Sequence, residues 1–112
     1  MDVTTERKAG VLSVRVDGRI DGSTVLAFHE AIETALEDDD HTVIVDCERL
    51  SYIGSVGLRT VLAIAKAVSN RDARFALCSV STQVMSVFEQ SGFDTIISIH
   101  PSKAEALAAL AE

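Results

Sequence analysis

Ser55 stands between two glycines in Ile53-Gly54-Ser55-Val56-Gly57-Leu58. A serine so placed could attack an ester, help cradle a phosphate, or accept a phosphoryl group. The first use needs Gly-x-Ser-x-Gly. Gly57 lies two residues after Ser55, but Ile53 occupies the position two before, so that motif is absent. His29 falls on a predicted helix, His41 in a charged run and His100 just before Pro101; none is placed as a base. A phosphate-binding loop needs Gly-x-x-x-x-Gly-Lys-Ser/Thr, which Gly54-Ser55-Val56-Gly57-Leu58-Arg59 does not supply. The histidines and the two cysteines are scattered without ligand spacing, so no metal site is expected. Asp21 and Asp46 form a candidate carboxylate pair. Aspartate is common at strand ends and turns, so the two are read as charged neighbours of Ser55 that shape what approaches it. No catalytic residue and no cofactor are expected.

The elements around Ser55 set its presentation. Thr42-Val43-Ile44-Val45 is β-branched with no alternating polar face, as in a strand covered on both sides, and Asp46 is expected to end it. After the turn, Leu58, Val61, Leu62, Ala65 and Val68 recur at helical spacing. Ser55 is the expected N-cap of that helix. Gly54 and Gly57 are expected to permit the turn and leave its backbone approachable. The hydroxyl would then be exposed at the positive end of a helix dipole, where an added phosphate is tolerated.

The flanking chain reads as alternating elements. Residues 3–8 and 11–16 form a predicted hairpin about Ala9-Gly10, with Arg19-Ile20-Asp21-Gly22 as a polar link beyond it. Ser23 or Thr24 caps a helix with the stripe Val25, Phe28, Ala31, Ile32, Ala35 and Leu36. Glu37-Asp38-Asp39-Asp40-His41 is expected to be a solvated loop. A strand at 74–78, a helix capped by Ser81 or Thr82 and stopped at Gly92, a strand at 96–99 and a helix over 102–110 complete the chain. In that last helix Leu107 and Leu110 are expected to face inward. The order β-β-α-β-α-β-α-β-α predicts an α/β fold with a mixed, mostly parallel sheet opened by a hairpin, and about four helices. Function in such sheets gathers at the carboxyl ends of the strands.

The 112 residues fit one domain. Only 4% are aromatic, so the core must be aliphatic. A net charge of −7 argues against direct nucleic-acid binding and against docking on an anionic membrane, and is compatible with a basic protein partner. Lys66 interrupts the longest apolar run well short of the ~20 residues of a membrane span. Two cysteines are too few for a disulfide scaffold, and no signal peptide is read. Reduced, buried thiols in a cytoplasmic protein are therefore expected.

Leu50-Ser51-Tyr52-Ile53-Gly54-Ser55-Val56-Gly57-Leu58-Arg59-Thr60-Val61-Leu62 resembles the signature of the STAS domain of bacterial anti-sigma factor antagonists. Gly18-Arg19-Ile20-Asp21-Gly22 looks like that family's loop before the first helix, and Ile44-Val45-Asp46 like its central strand. Phe88-Glu89-Gln90-Ser91-Gly92-Phe93 and Ala104-Glu105-Ala106-Leu107 look like its carboxyl-terminal half. The resemblance implies partner switching. An unphosphorylated antagonist binds an anti-sigma factor that is also a serine kinase. The kinase phosphorylates it and lets go, and a PP2C-type phosphatase resets it. ATP and Mg²⁺ belong to the kinase. Many members carry Asp-Ser-Ser/Thr-Gly where this chain has Gly54-Ser55-Val56-Gly57, so Ser55 is the only hydroxyl within that core. The implied phosphorylation site is Ser55. The implied partner-binding set is Asp21, Gly22, Asp46, Gly54, Ser55, Val56, Gly57, Leu58 and Arg59. Two other readings fit the same residues: a constitutive STAS subunit of a transport or signalling complex without phospho-switching, and, least favoured, a small enzyme using Ser55.

Overall fold

The structure, a computed structural model, describes residues 1–111. Its elements are β1 (Asp2–Lys8), β2 (Val11–Ile20), α1 (Val25–Ala35), β3 (Thr42–Ile53), α2 (Ser55–Ser69), β4 (Arg74–Cys78), α3 (Thr82–Ser91), β5 (Ser98–His100) and α4 (Lys103–Leu110). Five strands form one sheet in the order β1-β2-β3-β4-β5, antiparallel between β1 and β2 and parallel elsewhere. The expected α/β architecture with an opening hairpin is what the chain adopts. Ala9 and Gly10 both have positive φ, 52° and 78°, the backbone that a two-residue hairpin turn requires.

Every parallel crossover steps the same way across the sheet, from β2 to β3 to β4 to β5. Right-handed connections therefore put α1, α2 and α3 on one face. That face holds the larger core, with Phe28 and Ile32 of α1, Leu58, Val61, Ile64 and Val68 of α2, and Val84 and Phe88 of α3. The chain after β5 returns across the other face, where Ala106 of α4 packs on Ile44, Ala76 and Cys78.

Several expectations are corrected. Asp46 does not end a strand: β3 runs on to Ile53, and β2 to Ile20. The extension was hidden because β3 is bulged. Arg15 pairs with Asp46 but Asp17 pairs with Arg49, so β3 advances three residues while β2 advances two. Its inward side chains are then Cys47, Leu50 and Ile53, which breaks the two-residue alternation. The last strand is Ser98–His100, preceded by a 3-10 turn at Phe93–Thr95. Ile64 joins the buried stripe of α2, where Leu62 and Ala65 are only partly buried. In α4 Leu107 and Leu110 do face inward, half-buried against the small cluster, but the fully buried residue is Ala106. Asp40, expected in a solvated loop, is 5% exposed and held by Arg7.

Candidate protein-interaction site around Ser55

Two turns meet at the carboxyl ends of β2 and β3. Ile20 pairs with Ile53, and the Gly54 N–H donates to the Ile20 carbonyl at 3.0 Å. The turn at Asp21–Thr24 and the start of α2 are thereby fixed side by side. The Gly54 carbonyl accepts the first helical bond of α2, from the Leu58 N–H at 3.0 Å. Gly54, not Ser55, is thus the N-cap, in extended backbone with φ −91° and ψ 176°. Ser55 is the first helical residue and its side chain caps nothing. It is exposed, as expected, and its hydroxyl is uncommitted by any hydrogen bond among the described residues.

The glycines act differently from expectation. Neither Gly54 nor Gly57 has positive φ, so the turn does not depend on glycine's conformational freedom. Gly57 is required for packing instead. A Cβ there would lie 2.7 Å from Ile53 Cγ1 and 2.8 Å from Ile20 Cγ2. The first turn of α2 rests directly on the two strand ends, and that contact fixes the height at which Ser55 stands.

The Asp21 turn is rigid. Its carboxylate Oδ1 accepts from the Ser23 hydroxyl at 2.7 Å and the Ser23 N–H at 3.0 Å. The Thr24 hydroxyl donates to the Arg19 carbonyl at 2.7 Å and accepts from the Asp21 N–H at 3.0 Å. The Ser23 hydroxyl above all, then the Ser23 N–H and Arg19, hold the Asp21 carboxyl below its ordinary range. Asp21 is therefore a fixed negative charge at neutral pH. Its second oxygen lies 3.5 Å from Arg19 Nε.

A feature outside the expected set joins the two turns. Arg19 and Tyr52 are cross-strand partners. The guanidinium carbon lies 4.1 Å from the Tyr52 ring centroid, a cation–π contact. Tyr52 is 41% exposed, and its hydroxyl would lie 3.4 Å from a Cβ at Gly54. An exposed aromatic thus lies against Gly54, the residue before Ser55, ordered by a cation that is itself paired to Asp21. The signal was present in Leu50-Ser51-Tyr52-Ile53, but it was legible only once those residues were known to be strand.

The expected partner-binding residues divide by position. Asp21, Gly22, Gly54, Ser55, Val56 and Arg59 lie at this edge, with Gly22, Ser55 and Arg59 exposed and the others partly so. Gly57 and Leu58 are buried and act by supporting the helix start. Asp46 is not a neighbour of Ser55. It lies seven residues before the end of β3, roughly 20 Å of strand away. Its side chain points to the α4 face, lining a cavity with Arg15 and Lys103, and its carboxylate lies 3.7 Å from Arg15 Nη2. The three histidines and the cysteines form no metal-ligand cluster among the described residues. No helix among them is long and apolar enough to cross a membrane.

Comparison with known proteins places the fold and the family. The STAS domain profile matches residues 2–106. A protein of Bordetella bronchiseptica named as an anti-sigma factor antagonist, BtrV, is 30% identical over 109 residues, spanning 97% of this chain and 94% of that protein. An anti-sigma factor antagonist from Mycobacterium paratuberculosis shares the fold with a TM-score of 0.89 at 24% identity, over 99% of this chain and 94% of that one. The antagonist SpoIIAA in its unphosphorylated form gives 0.79 at 26% identity, over 95% and 93% of the two chains. Bacillus SpoIIAA in its phosphorylated form gives 0.72 at 24% identity, over 96% and 98%.

Proposed function

The chain belongs to the STAS domain family, and on that premise we propose that it is an anti-sigma factor antagonist that works by partner switching. In this reading the unphosphorylated protein binds an anti-sigma factor that is also a serine kinase, in the cytoplasm. The kinase moves the γ-phosphoryl group of ATP to Ser55 Oγ, with ADP leaving, and the partners separate. A PP2C-type phosphatase hydrolyses the phosphoserine. The chain itself catalyses neither step.

The observation that carries the reading is the exposed, uncommitted hydroxyl of Ser55 at the meeting of two rigid turns. The phosphorylated form of the relative SpoIIAA supports it. A phosphoserine adds a charge of about −1.5 to −2. Ser55 faces solvent, so the charge does not have to unfold anything. Pressed into a packed interface it must lose its water, and burying a charge that the partner does not neutralise costs several kcal/mol. A loss of ~4 kcal/mol weakens binding roughly a thousandfold.

The test is incubation with the cognate kinase and ATP, peptide mapping by mass spectrometry, and a binding assay on Ser55→Asp. The phosphate is expected on Ser55. Ser55→Asp is expected to lose the partner while its melting temperature stays nearly unchanged. Phosphate elsewhere, or an aspartate variant that binds like the parent, would rule the reading out.

A further inference from the structure

Arg59 lies one helical turn after Ser55 on α2, and both residues are exposed. Residues four apart on a helix have Cβ atoms about 5–6 Å from each other, and an acid placed N-terminal to a base at this spacing is the favourable order. The Arg59 guanidinium makes no ion pair among the described residues, whereas the other arginine at this edge, Arg19, is stacked on Tyr52 and paired with Asp21. No acidic residue occurs in the first turn of α2 to compete for it. The nearest carboxylate of the neighbouring turn, Asp21, already has Ser23 and Arg19 as partners.

Resting on the proposal that Ser55 is phosphorylated, we infer that Arg59 is the residue that receives the phosphate. Phosphorylation then changes the surface twice. It adds an anion where the partner must touch, and it withdraws a free cation that the unphosphorylated protein offers to that partner. The pairing is within one helix, so it needs no movement of the sheet. It also leaves the phosphate with a net charge of only about −0.5 to −1, since a guanidinium offsets roughly half to two-thirds of a phosphate of −1.5 to −2. Arg19 cannot substitute without giving up the Tyr52 ring and Asp21.

The test uses full-length protein with phosphoserine installed at 55 by suppression of a stop codon, so that it does not depend on any kinase. The second ionisation of the phosphate is followed by ³¹P NMR in the parent and in Arg59→Gln, Arg59→Lys and Arg19→Gln, and circular dichroism verifies folding of each. In the parent the ionisation is expected roughly 0.2–0.4 pH units below that in Arg59→Gln. Arg59→Lys should recover part of the shift, and Arg19→Gln should titrate like the parent. Equal ionisation in the parent and Arg59→Gln would overturn the inference, as would a shift that follows Arg19 instead. Failure of the parent reading looks different: the kinase would leave Ser55 unmodified whatever this titration gives.

Discussion

A methyl group added at Gly57 would meet Ile53 Cγ1 at 2.7 Å, Ile20 Cγ2 at 2.8 Å and the Ile20 carbonyl at 3.3 Å. Two effects oppose each other in Gly57→Ala. Alanine is the better helix former by about 1 kcal/mol. Overpacking a tight core costs about 1–3 kcal/mol. The isoleucines are 1% and 2% exposed and cannot swing aside, so the cost should win. A net loss of up to about 2 kcal/mol is expected, a fall of up to several degrees in melting temperature. Gly54→Ala has nothing nearer than 3.4 Å and an ordinary φ, and should lose less than about 1 kcal/mol. Thermal melts of the two variants check this, and a Gly57→Ala protein as stable as Gly54→Ala would contradict it. At this scale the sequence was partly legible. The exposure of Ser55 followed from a glycine-flanked serine at the start of an apolar helical stripe. The reason for Gly57 did not, because it lies in the approach of α2 to Ile20, a residue 37 positions away in the chain. The Arg19–Tyr52 contact was hidden in the same way, since it exists only through the register of β2 on β3.

Elements far apart in sequence are tied by one ion pair. Arg7 of β1 grips Asp40, just before β3, with Nε on Oδ1 at 2.7 Å and Nη2 on Oδ2 at 2.6 Å. The Glu37 N–H donates to the same carboxylate at 2.8 Å. Arg7 also donates to the Ala35 carbonyl, so the hairpin edge is bound to the end of α1. The Asp40 carboxyl is held below its ordinary range, chiefly by the Arg7 hydrogen bonds. A carboxylate whose folded pKa is depressed contributes stability above its unfolded pKa, and that contribution is lost as pH falls through the folded value. Asp40→Asn should therefore be less stable at neutral pH, by about 1–2 kcal/mol. The gap should close on acidification below about pH 4. Urea titrations from pH 7 to pH 2.5 measure it, and parallel stability curves for the two proteins would refute the assignment. Strands and helices were readable here from alternation and helical stripes, because those signals are local. The run Glu37–His41 read as solvent-facing because charge density is all that a single segment displays. What buries Asp40 is an arginine 33 residues earlier.

At the scale of the molecule, the sheet divides the core unequally, and the two cysteines report on the two sides. Cys47 packs into the large core under α1, α2 and α3, while Cys78 lies in the small cluster beneath α4. Burial raises the pKa of both thiols, so neither reacts without an opening motion. The openings should differ. The face that covers Cys47 is sealed by three helices that bury Phe28, Phe88 and a row of aliphatic side chains. Cys78 is covered by an eight-residue helix whose only buried side chain is Ala106. A helix that short has little stability of its own, and one buried alanine with two half-buried leucines contributes less apolar area to hold it down than the three helices opposite. Local opening of α4 should therefore expose Cys78 while the rest of the domain stays folded, as weakly packed elements open at lower free energy than the core. In native buffer, alkylation followed by mass spectrometry should modify Cys78 at least ~10-fold faster than Cys47. Rising urea should leave the Cys78 rate nearly flat at first and raise that of Cys47 steeply, because only the second requires global unfolding. Leu107→Ala, which trims the half-buried edge of α4, should speed Cys78 further and leave Cys47 close to its parent rate. If both thiols react at one rate across the whole titration, α4 is as firmly seated as the core and the two faces unfold as a single unit.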